Sequence, residues 1–173
     1  MDEIIFALRE RIVGLNTGKW NYMGSLVKRF RNQISSMIDS RHQIKADALF
    51  LKRFNQYIVY TAHKRGIHAI GGASNFVPRL NQPKATQLAK QQVIAEKFEE
   101  ANLGFDGAWV VHPLLVETAQ KCFTLEIRSA YNQKHKLADF HSFQQAIGGS
   151  CSDFCSLFPF ENTKVGEEYD LKV

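Results

Sequence analysis

Apolar residues recur along the chain at two alternating periods. Ile4, Leu8 and Ile12 are spaced by four, which predicts an amphipathic helix from Asp2 to about Arg11 with those three residues on its buried face. Asp2 and Glu3 fall in its first turn, where the helix dipole favours acids. The run Ile12–Thr17 predicts a short buried strand, with Gly18-Lys19-Trp20-Asn21 as its exit turn. Helical spacing returns from Tyr22 to Phe30, with Met23, Leu26, Val27 and Phe30 on one side. After a polar stretch, Asn32 to Lys45, comes the clearest helix: Phe50, Phe54, Ile58 and Ala62 line one face, Leu51 and Tyr57 widen it, and Gly66 caps it. Ile67–Ala73 predicts a second strand, interrupted by Gly71-Gly72. A helix from about Lys84 to Gly104 carries Leu88, Val93, Ile94 and Phe98. Gly107–Val111 predicts a third strand ending in His112-Pro113, followed by a helix over Leu114–Ile127.

Strands alternating with helices predict an α/β fold with a parallel sheet and helical crossovers, of about three βα units. From Tyr131 the periodicity stops, and Gly148-Gly149-Ser150 precedes a clump of phenylalanines, so the chain divides into an ordered segment, 1–130, and an irregular C-terminal tail, 131–173.

Composition narrows the class of protein. With 173 residues, 45% of them hydrophobic and 12% aromatic, the chain is long and apolar enough for a packed core, which excludes a disordered or collagen-like chain. No apolar stretch approaches the roughly 18 residues that cross a bilayer, and Met1-Asp2-Glu3 does not open a secretory leader. The expectation is an intracellular, cytoplasmic protein without a membrane partner; a peroxisome-type compartment stays open. Twenty-two basic against 17 acidic side chains leave a net +5, compatible with a phosphorylated cofactor but too mild to indicate nucleic acid without a basic stripe and a stacking platform. Cys122, Cys151 and Cys155 are too few for a disulfide framework. Cys151 and Cys155 have no second Cys or His pair at ligand spacing and read as free thiols ahead of a metal site.

In parallel α/β folds ligands bind at the carboxyl ends of the strands, where βα turns converge and helix N-termini offer N–H groups to anions. That rule selects Gly18-Lys19-Trp20-Asn21, Gly71-Gly72-Ala73-Ser74-Asn75 and Trp109-Val110-Val111-His112-Pro113. The first can cradle a carboxylate, or be a glycine turn with Trp20 in the core. The second lets a ligand approach the backbone, or is a tight strand exit. His112 is a site residue, or a hydrogen-bonded histidine locked by the proline after it; one histidine makes no metal site.

These segments, in this order, resemble the malate synthase family. Met1-Asp2-Glu3-Ile4 to Leu8-Arg9-Glu10, with Gly14-Leu15-Asn16-Thr17-Gly18-Lys19-Trp20-Asn21-Tyr22, is similar to the family's MDEI…LRE…GLNCGRWDY segment. His63-Lys64-Arg65-Gly66 through Gly71-Gly72 resembles its HKRG…MGG segment, and Phe105-Asp106-Gly107-Ala108-Trp109-Val110-Val111-His112-Pro113 resembles its HDGTWVAHP signature. The likeness runs from Met1 to Phe123 and fades beyond it.

The resemblance implies a partial TIM-type (β/α) barrel and the glyoxylate-cycle reaction, in which glyoxylate condenses with acetyl-CoA to give malate and CoA. It implies glyoxylate on Gly18, Lys19 and Trp20, and acetyl-CoA near Gly71, Gly72, Trp109, His112 and Pro113. In the family a magnesium ion, held by a glutamate and an aspartate, polarises the glyoxylate carbonyl; the aspartate position is Asn21 here. The glutamate and the enolate-stabilising arginine would lie upstream of Met1, and the aspartate base in a C-terminal region with no counterpart in this sequence. The expectation is therefore a fragment or degenerate paralogue, inactive alone, in which Mg²⁺ binding is doubtful. The alternative is a non-catalytic CoA-binding or assembly module completed by a partner chain.

Overall fold

A computed structural model describes residues 1–32, 49–74, 76–79 and 81–136. Five α-helices and three strands are formed there: α1 (Asp2–Ala7), β1 (Gly14–Asn16), α2 (Lys19–Phe30), α3 (Leu49–Lys64), β2 (His68–Gly71), α4 (Pro83–Leu103), β3 (Gly107–Ala108) and α5 (Val116–Ile127), with a 3₁₀ turn at Pro113–Leu115 before α5. The strands form one sheet in the order β1-β2-β3, and both pairings are parallel. Gly14 lies opposite His68 and Asn16 opposite Ile70, while Ile70 lies opposite Gly107 and Gly71 opposite Ala108. The three expected strands are therefore neighbours with their carboxyl ends on one side, in an open sheet. Each is shorter than its apolar run, because only residues with a paired neighbour join the ladder.

Two compact units divide the described residues. The first contains Met1–Gly18 and residues 55–136, and the second residues 19–32 and 49–54. In the first, the sheet and the helices around it bury Ile5, Val59, Ala69, Val93, Phe105 and Leu115, each at most 1% exposed. Helices α4 and α5 pack against each other, and Gly104 ends α4 in the left-handed conformation at φ 104°. Gly66, at φ 71°, turns the chain from α3 into β2. In the second unit Met23 and Leu26 of α2 pack on Phe50 and Leu51, with Trp20, Tyr22 and Phe30 around them. The Tyr22 ring stacks on Phe54 with centroids 4.1 Å apart, and burial pushes its hydroxyl up to about 12.

Three sequence expectations change. Helix α1 stops at Ala7, so Leu8 and Ile12 never join its face; Ile5 is the buried residue and Ile4 is 61% exposed. Helix α2 begins at Lys19 rather than Tyr22, because Trp20, Met23 and Leu26 at a spacing of three form one stripe on the second unit's core. Lys19, Trp20 and Asn21 are accordingly the first helical turn and not an exit turn. On α4, Leu88, Ile94 and Phe98 face outward, and the inward face carries Ala89, Val93, Glu96, Lys97, Glu100 and Ala101. The tail from residue 137 onward, with Cys151 and Cys155, lies outside the described residues.

Candidate functional site

The carboxyl end of β2 is a junction. Its last residue, Gly71, accepts two hydrogen bonds at its carbonyl: from the Trp109 N–H at 3.1 Å and from Asn16 Nδ2 at 3.0 Å. One peptide oxygen thus ties together the ends of all three strands. The next carbonyl, Gly72, accepts from Lys97 Nζ at 2.5 Å, and the same ammonium meets Glu100 Oε2 at 2.9 Å. Lys97 is fully buried and Glu100 nearly so. A Cβ on Gly71 would overlap the Glu100 carboxylate, so any larger residue there would displace that side chain from its place beside the strand end. Beyond the turn Ser74 is buried, and its Oγ accepts from the Phe76 N–H at 3.3 Å.

After β3 the chain turns outward. Trp109 is 64% exposed, so its indole lines open surface instead of core. His112 Nδ1 accepts from the Leu114 N–H at 3.2 Å, which makes it the cap of the 3₁₀ turn and leaves the ring proton of the neutral form on Nε2. Pro113 opens that turn and Leu115 anchors it in the core. The five residues expected to meet acetyl-CoA are thus gathered on the ends of β2 and β3, with Gly71 and Trp109 in direct hydrogen-bond contact.

The residues expected to hold glyoxylate lie where β1 gives way to α2. Gly18 is half-buried and belongs to the first unit, whereas Lys19, Trp20 and Asn21 belong to the second. The Lys19 ammonium lies 5.6 Å from the centre of the Trp20 ring, in cation–π range. Trp20 also packs against the Met23–Leu26 cluster, so its side chain serves the core of the second unit. The N–H groups of a helix's first turn have no acceptor within the helix, which makes them suited to an anion.

Asn21 is exposed and offers one neutral oxygen. Among the described residues no group of three His, Cys, Asp or Glu side chains could hold a metal ion. A hard dication takes oxygen ligands and gains most from carboxylates. The described residues do not fit Mg²⁺.

At the opposite, amino end of the sheet sits a second polar cluster. Asp106 Oδ2 accepts from His63 Nε2 at 3.1 Å and from the Ala69 N–H at 2.9 Å, and Oδ1 accepts from the Gln133 N–H at 2.6 Å. Burial alone would raise the Asp106 carboxyl, but His63 and the two backbone N–H groups outweigh it and hold the group below the ordinary aspartate range. Gln133, itself buried, donates through Nε2 to the Ala101 and Phe105 carbonyls. With both oxygens engaged and at the wrong end of the strands, Asp106 belongs to the scaffold and not to the ligand end. Sequence reading missed Asn16, Lys97 and Glu100. The signal that could have found the last two is a Lys–Glu pair three apart on the stripe of α4 that carries Val93 and Ala101.

Parallel strands joined by helical crossovers are the architecture of a β/α-barrel protein, of which the described residues form three strands. The model of the malate synthase TIM-barrel domain matches residues 1–146, past the limit at Phe123 that the motifs alone suggested. The chain is 39% identical over 140 residues to malate synthase of Streptomyces clavuligerus, covering 80% of this chain and 26% of that protein. It is 39% identical over 133 residues to malate synthase A of Escherichia coli, covering 77% and 25%, and 36% identical over 129 residues to malate synthase of Dictyostelium discoideum, covering 75% and 24%. This chain belongs to the malate synthase family. It spans about a quarter of the length of these relatives. Among the described residues, no helix is long and apolar enough to cross a membrane.

Proposed function

We propose that this chain supplies ligand-facing segments of a malate synthase-type barrel: the acetyl-CoA-facing turns at Gly71-Gly72 and Trp109–Pro113 in the first unit and, taken by itself, the glyoxylate-facing helix start at Gly18-Lys19-Trp20. The observation that carries the reading is the junction at Gly71, where one carbonyl joins the ends of β1, β2 and β3 and holds the backbone of the exposed Trp109 beside the end of β2. The reaction served is the condensation of glyoxylate with acetyl-CoA to malate and CoA in the glyoxylate cycle, and the compartment is intracellular, cytoplasmic in the simplest case. By itself the 173-residue chain binds without turning over, because Asn21 stands where the family has its metal-ligand aspartate.

Pairing with further barrel strands, in a partner chain, is the second reading, supported by β1 and β3 being the outer strands of an open sheet. Titration calorimetry of the folded chain with acetyl-CoA tests the binding role. Heat is expected at millimolar ligand, and it should vanish in Trp109→Ala, whose exposed side chain the fold does not need. A folded wild-type sample that gives no heat removes the reading.

A further inference from the structure

We infer that Lys97 and Glu100, together, are positioning residues that hold the Gly71–Gly72 turn in the shape acetyl-CoA meets; this rests on the ligand-binding reading above. Past the bond from the Trp109 N–H to the Gly71 carbonyl, the ladder gives way and the Gly72 carbonyl is taken up by the Lys97 ammonium. Glu100 completes the device from the other side. Its carboxylate binds the ammonium at 2.9 Å and occupies the space beside Gly71 that a Cβ would fill, so the strand end lies against α4. A fully buried lysine is rare and needs partners. If the position served packing alone, apolar side chains of similar volume would do as well, since a buried ion pair is often matched or bettered by them. What an apolar pair cannot do is donate a hydrogen bond to the Gly72 carbonyl. Neither side chain reaches the solvent face where a ligand would lie, so both act through the backbone.

The test uses the 173-residue chain and the double variant Lys97→Met/Glu100→Gln, which keeps volume and removes both charges. Two readouts are taken: amide hydrogen exchange, and acetyl-CoA affinity by calorimetry. Exchange of the Trp109 N–H should quicken by about tenfold or more, with the α5 amides of Ala119 and Phe123 unchanged, because only the strand end loosens. Acetyl-CoA affinity should fall by about tenfold in the same variant. If the double variant does not fold, Glu100→Gln alone is read in the same way, and failure of both to fold assigns the pair to global stability and overturns the inference. A folded variant with unchanged Trp109 exchange overturns it as well. Absence of binding by the wild-type chain rejects the ligand reading separately, while the exchange result still decides whether the pair holds the turn.

Discussion

Asp106 shows how one side chain can stitch a fold together. It joins the end of α3 through His63, the start of β2 through Ala69 and the segment after α5 through Gln133. Removing its carboxylate leaves three donors to find new partners, two of them backbone N–H groups, so Asp106→Ala should cost about 2–3 kcal/mol in urea unfolding. Asp106→Asn keeps one acceptor oxygen and should cost less. The group's folded pKa lies below its ordinary value of 3.8. The unfolded chain therefore takes up the proton first as pH falls, so the stabilisation is whole above the unfolded value and is lost on passing down through the folded one. Urea midpoints measured from pH 6 downward should drop below about pH 4 in the wild type and drop less in Asp106→Asn. Equal acid limbs in the two proteins would show that Asp106 carries no linked stability. In the core, Phe105 is wholly buried, and Phe105→Ala should cost about 3–5 kcal/mol by cavity formation, read from the same unfolding curves.

Elements take their ends from glycine and their faces from what they meet. Gly104 stands at φ 104°, and an added Cβ would lie 3.3 Å from Val59 Cγ1. Strain and crowding act together there, so Gly104→Ala should lower stability by about 1–2 kcal/mol. Gly66 at φ 71° has open space around it, and Gly66→Ala should cost less, from backbone strain alone. Comparing the two thermal midpoints separates conformation from packing. In β1, a Cβ on Gly14 would come within 2.8 Å of the His68 carbonyl oxygen, so this strand position tolerates only glycine without a backbone shift. Of the charged side chains on the inner stripe of α4, Lys97 and Glu100 are turned toward the strand end, where an ordinary amphipathic helix would present only apolar groups.

On the scale of the molecule, the three parallel strands of the described residues are a part of the eight that close a barrel. Catalysis by the 173-residue chain alone should be absent: no glyoxylate-dependent release of CoA from acetyl-CoA, with or without added Mg²⁺. A missing transition-state charge stabiliser alone typically costs about 10²–10³ in rate, and Asn21 offers a metal no anionic oxygen. Asn21→Asp should not restore turnover by itself; it should do so only when further barrel strands are supplied by fusion or by a partner chain. A thiol-release assay on material purified free of host enzyme measures this directly. Steady turnover by the chain alone would mean that other residues had taken over as base, with His112 the first to replace.

Much of the architecture is local information, and the sequence alone determined it. Helix caps at Gly66 and Gly104 were legible because only glycine accepts those backbone angles without strain. Three apolar runs separated by helical periods implied the parallel sheet, and the three motifs fall at the ends of its strands. Tertiary structure alone decided which side of an element is inside. Ile5 instead of Ile4, the early start of α2 at Lys19, and the outward turn of Leu88, Ile94 and Phe98 all depend on residues distant in the chain, because helical spacing defines a stripe but not what it packs against. The same holds for the strand end. Nothing near Gly71 in sequence announces that a lysine 26 positions later, followed three residues on by a glutamate, will hold its turn; crossover geometry brings α4 back over β2, and burial then forces the two charges to pair.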